Sequence, residues 1–459
     1  MYIEQLYTNC LAEAAYYIES EGEAAIIDPL RETEPYIELA KKRGTTIKYV
    51  FETHFHADFV SGHIDLARKV NAPIIYGPMA NTHYDVINAT DGQEFKLGKV
   101  KFRVLHTPGH TPESSCYLLL DENGKEHAIF TGDTLFVGDV GRPDLLDGVM
   151  TREELASMMY DSLNKKIKTL PDHVMVYPAH GPGSACGKNI GKETFSTIGE
   201  QKKFNYALKD MSREEFIEKV TDGILPPPLY FFEDARINKM GYNPIDEVIR
   251  TNKKPLTAVE FKKAVESGAL ILDTRKSDDF EKGFIPGSLN IGLNGQYAVW
   301  VGTLIDINRA LVLITEEEKE EEAILRLARV GYENAVGYLK GGIQTWPEQL
   351  DVVKSIAATD MATYLEKGID VLDVRKPGEW NTSHLKEAEF LPLADMPDNL
   401  ERLDKTKPYV VHCAGGYRSM IACSMMKQKG FTNVTNVYGG FGAMVAAGLP
   451  VVTEETVVS

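Results

Sequence analysis

The stretch Gly268-Ala269-Leu270-Ile271-Leu272-Asp273-Thr274-Arg275 returns as Gly368-Ile369-Asp370-Val371-Leu372-Asp373-Val374-Arg375, at an offset of 100 residues. Further on, the glycine pair of Tyr338-Leu339-Lys340-Gly341-Gly342 returns in Val437-Tyr438-Gly439-Gly440, with the offset reduced to 98. Such a repeat fixes architecture before any motif does, because both copies must bury a core of the same design. Two copies of one domain are therefore expected over 255–352 and 353–459. Each alternates short β-branched strands with helical stretches, as in Tyr409-Val410-Val411-His412, a glycine-rich turn, and then Ser419 to Lys429. That is the pattern of a parallel sheet with crossover helices. The chain has 459 residues, and at about 100 to 200 residues per domain there is room for one more ahead of the repeats. It is expected over 1–210, with a linker at 211–254 marked by Pro226-Pro227-Pro228 and the polar run from Ala235 to Asn252. This first segment alternates strands (Ala24 to Asp28, Tyr49 to Thr53, Lys101 to Leu105, Ala128 to Thr131, Val174 to Tyr177) with helices such as Glu34 to Arg43 and Arg152 to Leu163. The fold class is α/β, with two or four layers in the first domain.

Charge and cysteine content narrow the function classes. A net charge of −17 repels phosphate backbones, which argues against nucleic acid as the main partner. Five scattered cysteines, Cys10, Cys116, Cys186, Cys413 and Cys423, are too few for a disulfide framework and suit a reducing compartment. The N-terminus has no basic segment followed by an apolar run, and no stretch approaches the roughly 18 apolar residues of a membrane span. A soluble, cytoplasmic protein without a membrane partner is expected.

After the apolar strand residues Tyr49-Val50-Phe51 comes Thr53-His54-Phe55-His56-Ala57-Asp58-Phe59, and later His110, Asp133 and His180 each follow a predicted strand. Strand ends converge on one sheet edge, so residues distant in sequence can meet there. Imidazole with carboxylate suits zinc or iron, whereas calcium would need mostly oxygen ligands. His63, His83, His127 and His173 lack this setting and read as surface or satisfied core residues.

The His-x-His-x-Asp run, with Thr107-Pro108-Gly109-His110 and Thr131-Gly132-Asp133, resembles the metallo-β-lactamase superfamily. The resemblance implies a four-layer αββα sandwich. The dinuclear hydrolases of that superfamily carry a further histidine directly after the aspartate, and here Phe59 stands in that place. A phenyl ring donates no lone pair, which disfavours a second metal. What is left resembles the mononuclear iron branch, the persulfide dioxygenases. That resemblance implies one Fe(II) per chain held by His54, His110 and Asp133, a facial triad with open positions; zinc is the alternative occupant. His56, Asp58 and His180 would surround the ligands and orient them. Gly132 to Arg142 also resembles that branch, which assigns Arg142 to a substrate carboxylate or to bracing its loop. Cys186 follows His180 closely enough to lie near the metal mouth, where it would handle sulfur or serve as a small buried hydrophobe.

In the last copy the strand Tyr409 to His412 runs into Cys413-Ala414-Gly415-Gly416-Tyr417-Arg418-Ser419. A glycine-rich curl turns successive N–H groups inward, and the following helix N-terminus adds partial positive charge, which favours thiolate. Arg418 is expected to add a full charge without any acid beside it, so the loop suits an anionic substrate. With Asp373-Val374-Arg375, Glu379-Trp380, His384 and Gly439-Gly440, this copy resembles the rhodanese sulfurtransferases. A loop of six residues, Cys413 to Arg418, implies sulfane sulfur transfer with Cys413 as nucleophile and Arg418 and the backbone of Ala414, Gly415, Gly416 and Tyr417 as the cradle. In the first copy the 98-residue offset places Thr315 opposite Cys413, followed by Glu316-Glu317-Glu318-Lys319-Glu320-Glu321-Glu322. Threonine has no thiol and the carboxylates repel anions, so this copy is expected to be silent. Its glutamates favour the helix they precede.

The order of domains resembles bacterial fusions of a persulfide dioxygenase with an inactive and an active rhodanese. The implied chemistry is oxidation of a low-molecular-weight thiol persulfide such as glutathione persulfide to sulfite with dioxygen. Sulfur transfer through Cys413 would then give thiosulfate, in sulfide detoxification. Related dioxygenases imply a homo-oligomer, dimer or tetramer. Two other classes compete: a glyoxalase-II-like metal-dependent thioester hydrolase with an accessory sulfurtransferase, and a sulfur carrier whose metal site is structural.

Overall fold

The computed structural model describes residues 1–145 and 149–453. The chain forms two compact units, Met1–Val248 with Leu327–Gly331, and Ile249–Arg326 with the residues from Tyr332 onward.

The first unit is built on two six-stranded sheets. One runs in the order Tyr2–Thr8, Glu13–Ser20, Glu23–Ile27, Thr46–Phe51, Ile74–Tyr76, Ile87–Asn88; the other runs Ser196–Thr197, Met175–Pro178, Glu126–Gly132, Ser115–Leu120, Val100–His106, Glu94–Leu97. Successive side chains in a strand point to opposite faces. In Glu13–Ser20, Ala14, Tyr16 and Ile18 join a core shared by both sheets, with Phe51, Phe102, Tyr117 and Phe130, while Ala15 and Tyr17 join a second core on the outer face. Helices Glu34–Arg43 and His63–Val70 contribute Tyr36, Ala40, Leu66 and Ala67 to that outer core. On the far side, Arg152–Ser162 contributes Ala156 and Met159 against Leu118, Ile129 and Val176. Helix, sheet, sheet, helix is the αββα order expected.

The stretch 211–254, read from sequence as a linker, carries three helices, Arg213–Thr221, Tyr230–Met240 and Ile245–Asn252. Among the described residues, no helix is long and apolar enough to cross a membrane.

The second unit holds two five-stranded sheets whose paired strands are all parallel. Their orders correspond: Pro255–Leu256, Ala335–Leu339, Leu311–Ile314, Leu270–Asp273, Leu289–Asn290 in one, and Lys354–Ile356, Val434–Val437, Tyr409–His412, Asp370–Asp373, Ala388–Phe390 in the other. Thr315 leaves the central strand of one copy at the point where Cys413 leaves that of the other.

Candidate metal centre and cysteine loop

Strand ends deliver the metal-type residues to one edge. Thr46–Phe51 leads to His54, Val100–His106 to His110, Glu126–Gly132 to Asp133, and Met175–Pro178 to His180. Backbone bonds tie these ends together: Ser115 N donates to Thr53 O at 2.9 Å, Ala179 N to Gly132 O at 3.1 Å, and Gly141 N to Asp133 O at 3.0 Å. Position 141 has to be glycine, because a Cβ there would lie 2.1 Å from Asp133 O.

Hydrogen bonding sets the tautomer of each ring. The Thr53 hydroxyl gives its single proton to Asp28 Oδ2 at 2.8 Å, so His54 Nδ1 donates to Thr53 Oγ1 at 2.9 Å. His110 Nδ1 donates to Arg142 O at 2.7 Å, and His180 Nδ1 to Ala12 O at 3.1 Å. A neutral ring with its proton on Nδ1 leaves a bare lone pair on Nε2. All three Nε2 atoms and both Asp133 oxygens are buried without a hydrogen-bond partner. Asp133 Oδ2 lies 3.3 Å from His110 Nε2 and 3.8 Å from His54 Nε2, and Oδ1 lies 3.5 Å from His180 Nε2. Buried acceptors left bare this close together are costly unless something binds among them. Metal bonds of about 2.0–2.2 Å would hold neighbouring donors roughly 3.0–3.5 Å apart, so these residues fit a first-row metal ion. Burial first, and then His56, His110 and His180, keep the His54 pKa well below its ordinary value, in the neutral form a ligand needs. Burial opposes charge on His180, but Asp58 and Asp133 outweigh it and raise its pKa.

Among the described residues, three buried sets of three have ligand atoms within 4.8 Å of one another: His54, His110 and Asp133; Asp58, His180 and Cys186; Asp28, Glu52 and His56. The first is the triad expected from sequence. In the second, the Cys186 thiol pKa is driven up by burial and then by Asp58 and Asp133. His56 turns to the third, with Nε2 3.1 Å from Asp28 Oδ1 and 3.7 Å from Glu52 Oε2. Phe59 is fully buried, its ring 4.3 Å from that of His56. Arg142 holds Asp144 through two bonds of 2.6 and 2.7 Å and donates to the carbonyls of Ala185 and Leu225. Of its two sequence readings, the geometry favours bracing: the guanidinium ties three loops while its own carbonyl orients His110.

Cys413 sits at the bottom of a cavity of about 400 Å³ lined by Gln296, Trp300, Lys376, Glu379 and Arg418. Gly416, with φ of 108°, turns its N–H to Cys413 Sγ at 3.1 Å. One sequence expectation is corrected here. Arg418 does have an acid beside it: Glu379, 39 residues earlier, accepts two bonds from its guanidinium at 2.6 and 2.8 Å. The cavity still carries an excess cation through Lys376, whose pKa burial, and then Arg418, push down. The loop closes against Gly439-Gly440, where Phe441 N donates to Cys413 O at 2.7 Å. A Cβ on Gly440 would lie 2.2 Å from that same oxygen. In the first copy a smaller cavity of about 260 Å³ is lined by Lys276, Glu316, Lys319 and Glu322 and has no thiol.

Residues 8–180 match the metallo-beta-lactamase superfamily, and residues 257–349 and 357–447 each match the rhodanese-like domain. The mitochondrial persulfide dioxygenase ETHE1 of Homo sapiens is 31% identical over 209 residues, which span 45% of this chain and 74% of that protein. The chain belongs to the metallo-beta-lactamase superfamily. Its metallo-beta-lactamase domain is followed by two rhodanese-like domains. The same domain is 34% identical over 179 residues to the cytoplasmic hydroxyacylglutathione hydrolase of Arabidopsis thaliana, covering 38% of this chain and 66% of that one. A crystal structure of a metallo-beta-lactamase from Staphylococcus aureus subsp. aureus COL aligns with a TM-score of 0.64 at 33% identity, covering 74% of this chain and 99% of that one.

Several residues that shape the metallo-beta-lactamase site carry no sequence motif. Asp28 could have been found as an acid ending an apolar strand beside the one that leads to His54. Asn238 could not, since a lone asparagine has no spacing to betray it. It is fully buried on Tyr230–Met240, and its amide donates to His56 O and Phe59 O at 2.8 Å each while its oxygen accepts from Ser61 N at 2.9 Å. It thus clamps the loop that carries His56 and Asp58. Asn238→Ala should destabilise the fold by about 3 kcal/mol, because three buried backbone groups lose their partner. Urea denaturation checks this; a loss below half that value would mean the loop holds itself.

Proposed function

We propose that this chain oxidises a low-molecular-weight thiol persulfide at an iron centre and transfers sulfane sulfur through Cys413. The observation that carries the reading is the buried set His54, His110 and Asp133 with bare donor atoms, beside a phenylalanine at position 59. The persulfide dioxygenase relative supports the same choice.

Fe(II) held by those three residues would supply the redox chemistry that lets dioxygen react with a sulfur substrate. The chain's own residues do the rest. Asp28 and Thr53 fix the His54 tautomer, and Arg142 does the same for His110 through its carbonyl. Asp58 and His180, 3.5 Å apart, hold a proton beside the ligand set. The overall balance is one persulfide, one dioxygen and one water giving one thiol and one sulfurous acid, which ionises to sulfite. At the second site the Cys413 thiol takes the outer sulfur of a persulfide and releases the parent thiol. The resulting cysteine persulfide passes that sulfur to sulfite, giving thiosulfate and restoring the thiol. Lys376 and Arg418 suit the anionic acceptor. Sulfide detoxification, a homo-oligomer and a cytoplasmic setting belong to the same reading; the last rests on five free thiols.

The test is anaerobic loading of the full chain with Fe(II), addition of glutathione persulfide, and measurement of oxygen uptake with sulfite and thiosulfate. One dioxygen per persulfide is expected where sulfite accumulates, falling to one per two persulfides where the product is thiosulfate, and no uptake at all sinks the proposal. A thioester hydrolase is the second reading, favoured by the hydroxyacylglutathione hydrolase relative and by the Asp58 and His180 pair. It would show as hydrolysis of a hydroxyacylglutathione with no oxygen consumed.

A further inference from the structure

The wall of the Cys413 cavity is not made by its own copy alone. Gln296 and Trp300, which line it, belong to the first rhodanese copy, and both copies lie in one compact unit. They sit four residues apart at the start of helix Tyr297–Leu304, where Trp300 N donates to Gln296 O at 3.0 Å, so their side chains share one face. That segment is held against the cysteine loop. The Tyr417 hydroxyl donates to Gly292 O at 2.8 Å, and a Cβ on Gly295 would lie 2.4 Å from the Tyr417 ring. Arg326 of the first copy braces it, donating to Leu293 O at 2.6 Å and to Gly295 O at 3.0 Å.

Size and chemistry set this wall apart from the rest of the cavity. A small inorganic anion such as thiosulfate needs little room and a positive field, which the Gly416 N–H, Lys376 and Arg418 supply. A volume of about 400 Å³ lies instead within the range of about 300–1,000 Å³ that holds small organic ligands. Gln296 is half-buried and Trp300 is buried, and among the described residues neither the side-chain amide nor the indole N–H has a hydrogen-bond partner. A side-chain amide carries both donors and an acceptor, and the group it matches best is another amide. An indole offers an apolar face for a methylene arm and a donor at its edge. Neither attracts an inorganic dianion as a cation does. Together they fit the arm of a thiol built from peptide-like units, with Lys376 left for its carboxylates.

We propose that the first rhodanese copy selects the sulfur donor of the second, with Gln296 and Trp300 binding the organic arm of an amide-bearing thiol persulfide. This rests on the reading of Cys413 as the sulfur carrier and names the class of donor for it. In the step itself, Cys413–SH and R–S–SH give Cys413–S–SH and R–SH. A bond forms between Sγ and the outer sulfur, the S–S bond of the donor breaks, and the inner sulfur leaves as the thiol with the proton given up by Cys413. Gln296 and Trp300 touch only R, so they govern which donor reaches the sulfur and leave the bond exchange to the loop. Thiosulfate has no R, and the wall does not discriminate for or against it. A copy with Thr315 in place of the nucleophile thus keeps a role in its neighbour's cavity.

The experiment loads Cys413 in the full chain without dioxygen, so that no persulfide is oxidised, at subsaturating donor. Added sulfur is trapped with iodoacetamide and read on the Cys413 peptide by mass spectrometry. The donors compared are glutathione persulfide, which carries peptide amides, 2-hydroxyethyl persulfide, which is organic but has none, and inorganic thiosulfate. Gln296→Leu keeps the bulk and removes the amide. It should slow loading from glutathione persulfide about 5- to 10-fold, the worth of one hydrogen bond, and leave the other two donors within about twofold. Trp300→Phe keeps an aromatic wall without the N–H and should likewise slow glutathione persulfide alone. Equal slowing of all three donors would reduce the wall to a structural brace, and unchanged loading from glutathione persulfide in both variants would place the arm elsewhere; either result overturns the proposal. No loading from any donor in the unsubstituted chain would remove the carrier role, and the proposal with it, an outcome distinct from equal loading of the unsubstituted and substituted chains.

Discussion

His110→Ala is expected to leave a folded protein that no longer retains its metal. The ring carries one of the bare Nε2 atoms, 3.3 Å from Asp133 Oδ2, and its other nitrogen is held by Arg142 O. Losing a group that merely orients a ligand typically costs about 10- to 100-fold in metal affinity. Losing the ligand should therefore cost more than about 100-fold, and oxygen uptake with it. Metal content after dialysis, measured by elemental analysis, is the direct readout. Asp133→Asn is the companion, because it keeps the side-chain volume while removing the charge that serves both His54 and His110. Circular dichroism separates metal loss from unfolding. Full retention of metal by either folded variant would remove that residue from the ligand set.

Cys413→Ser is expected to divide the two chemistries. Thiosulfate formation should fall by at least about 10³-fold, since a serine hydroxyl at neutral pH is a far weaker nucleophile than a cysteine and cannot carry a persulfide. Oxygen uptake should stay within about twofold, because the metal ligands lie on a separate compact unit, and sulfite should accumulate in place of thiosulfate. The substitution is nearly isosteric, and the surrounding bonds from Gly416 N and Phe441 N go to a side-chain atom and a carbonyl that serine also offers. Thiosulfate production at an unchanged rate would mean that sulfur travels by another cysteine, with Cys186 beside Asp58 and His180 the first to examine.

Much of this arrangement was legible because it depends on local regularity. The repeat offset that set Thr315 opposite Cys413 holds in three dimensions, since each residue directly follows the central strand of its sheet. The helix Glu34–Arg43 has the bounds read from sequence. The histidines and aspartates could be gathered because strand ends share an edge. What sequence could not give depends on partners far along the chain. Glu379 neutralises Arg418 from 39 residues away, a pairing invisible to a reading of the loop alone. The strand Glu13–Ser20 is buried on both faces, so it lacks the alternation that marks a strand. The helices within 211–254 are mostly solvated and bury few side chains each, such as Phe216 and Val220 in one and Phe231, Asp234 and Asn238 in the next. Polar residues on their outer faces made the stretch look unstructured.

The paired glycines of the two copies now sit under different constraints. At Gly440 an added methyl would meet the carbonyl of Cys413, whereas at Gly342 it would meet the end of the Gln344 side chain at 3.3 Å, a group able to swing aside. Both positions have positive φ, at 54° and 72°, so both resist substitution on backbone grounds. A mutational library selected first for folding and then for sulfur transfer would therefore lose alanine from the two sites unequally. The first sieve would thin both, and the second would empty only the one that shares an atom's breadth with the nucleophile. Duplication has left one fold carrying two separate histories of permission, one written by the backbone alone and the other by the backbone and the reaction together.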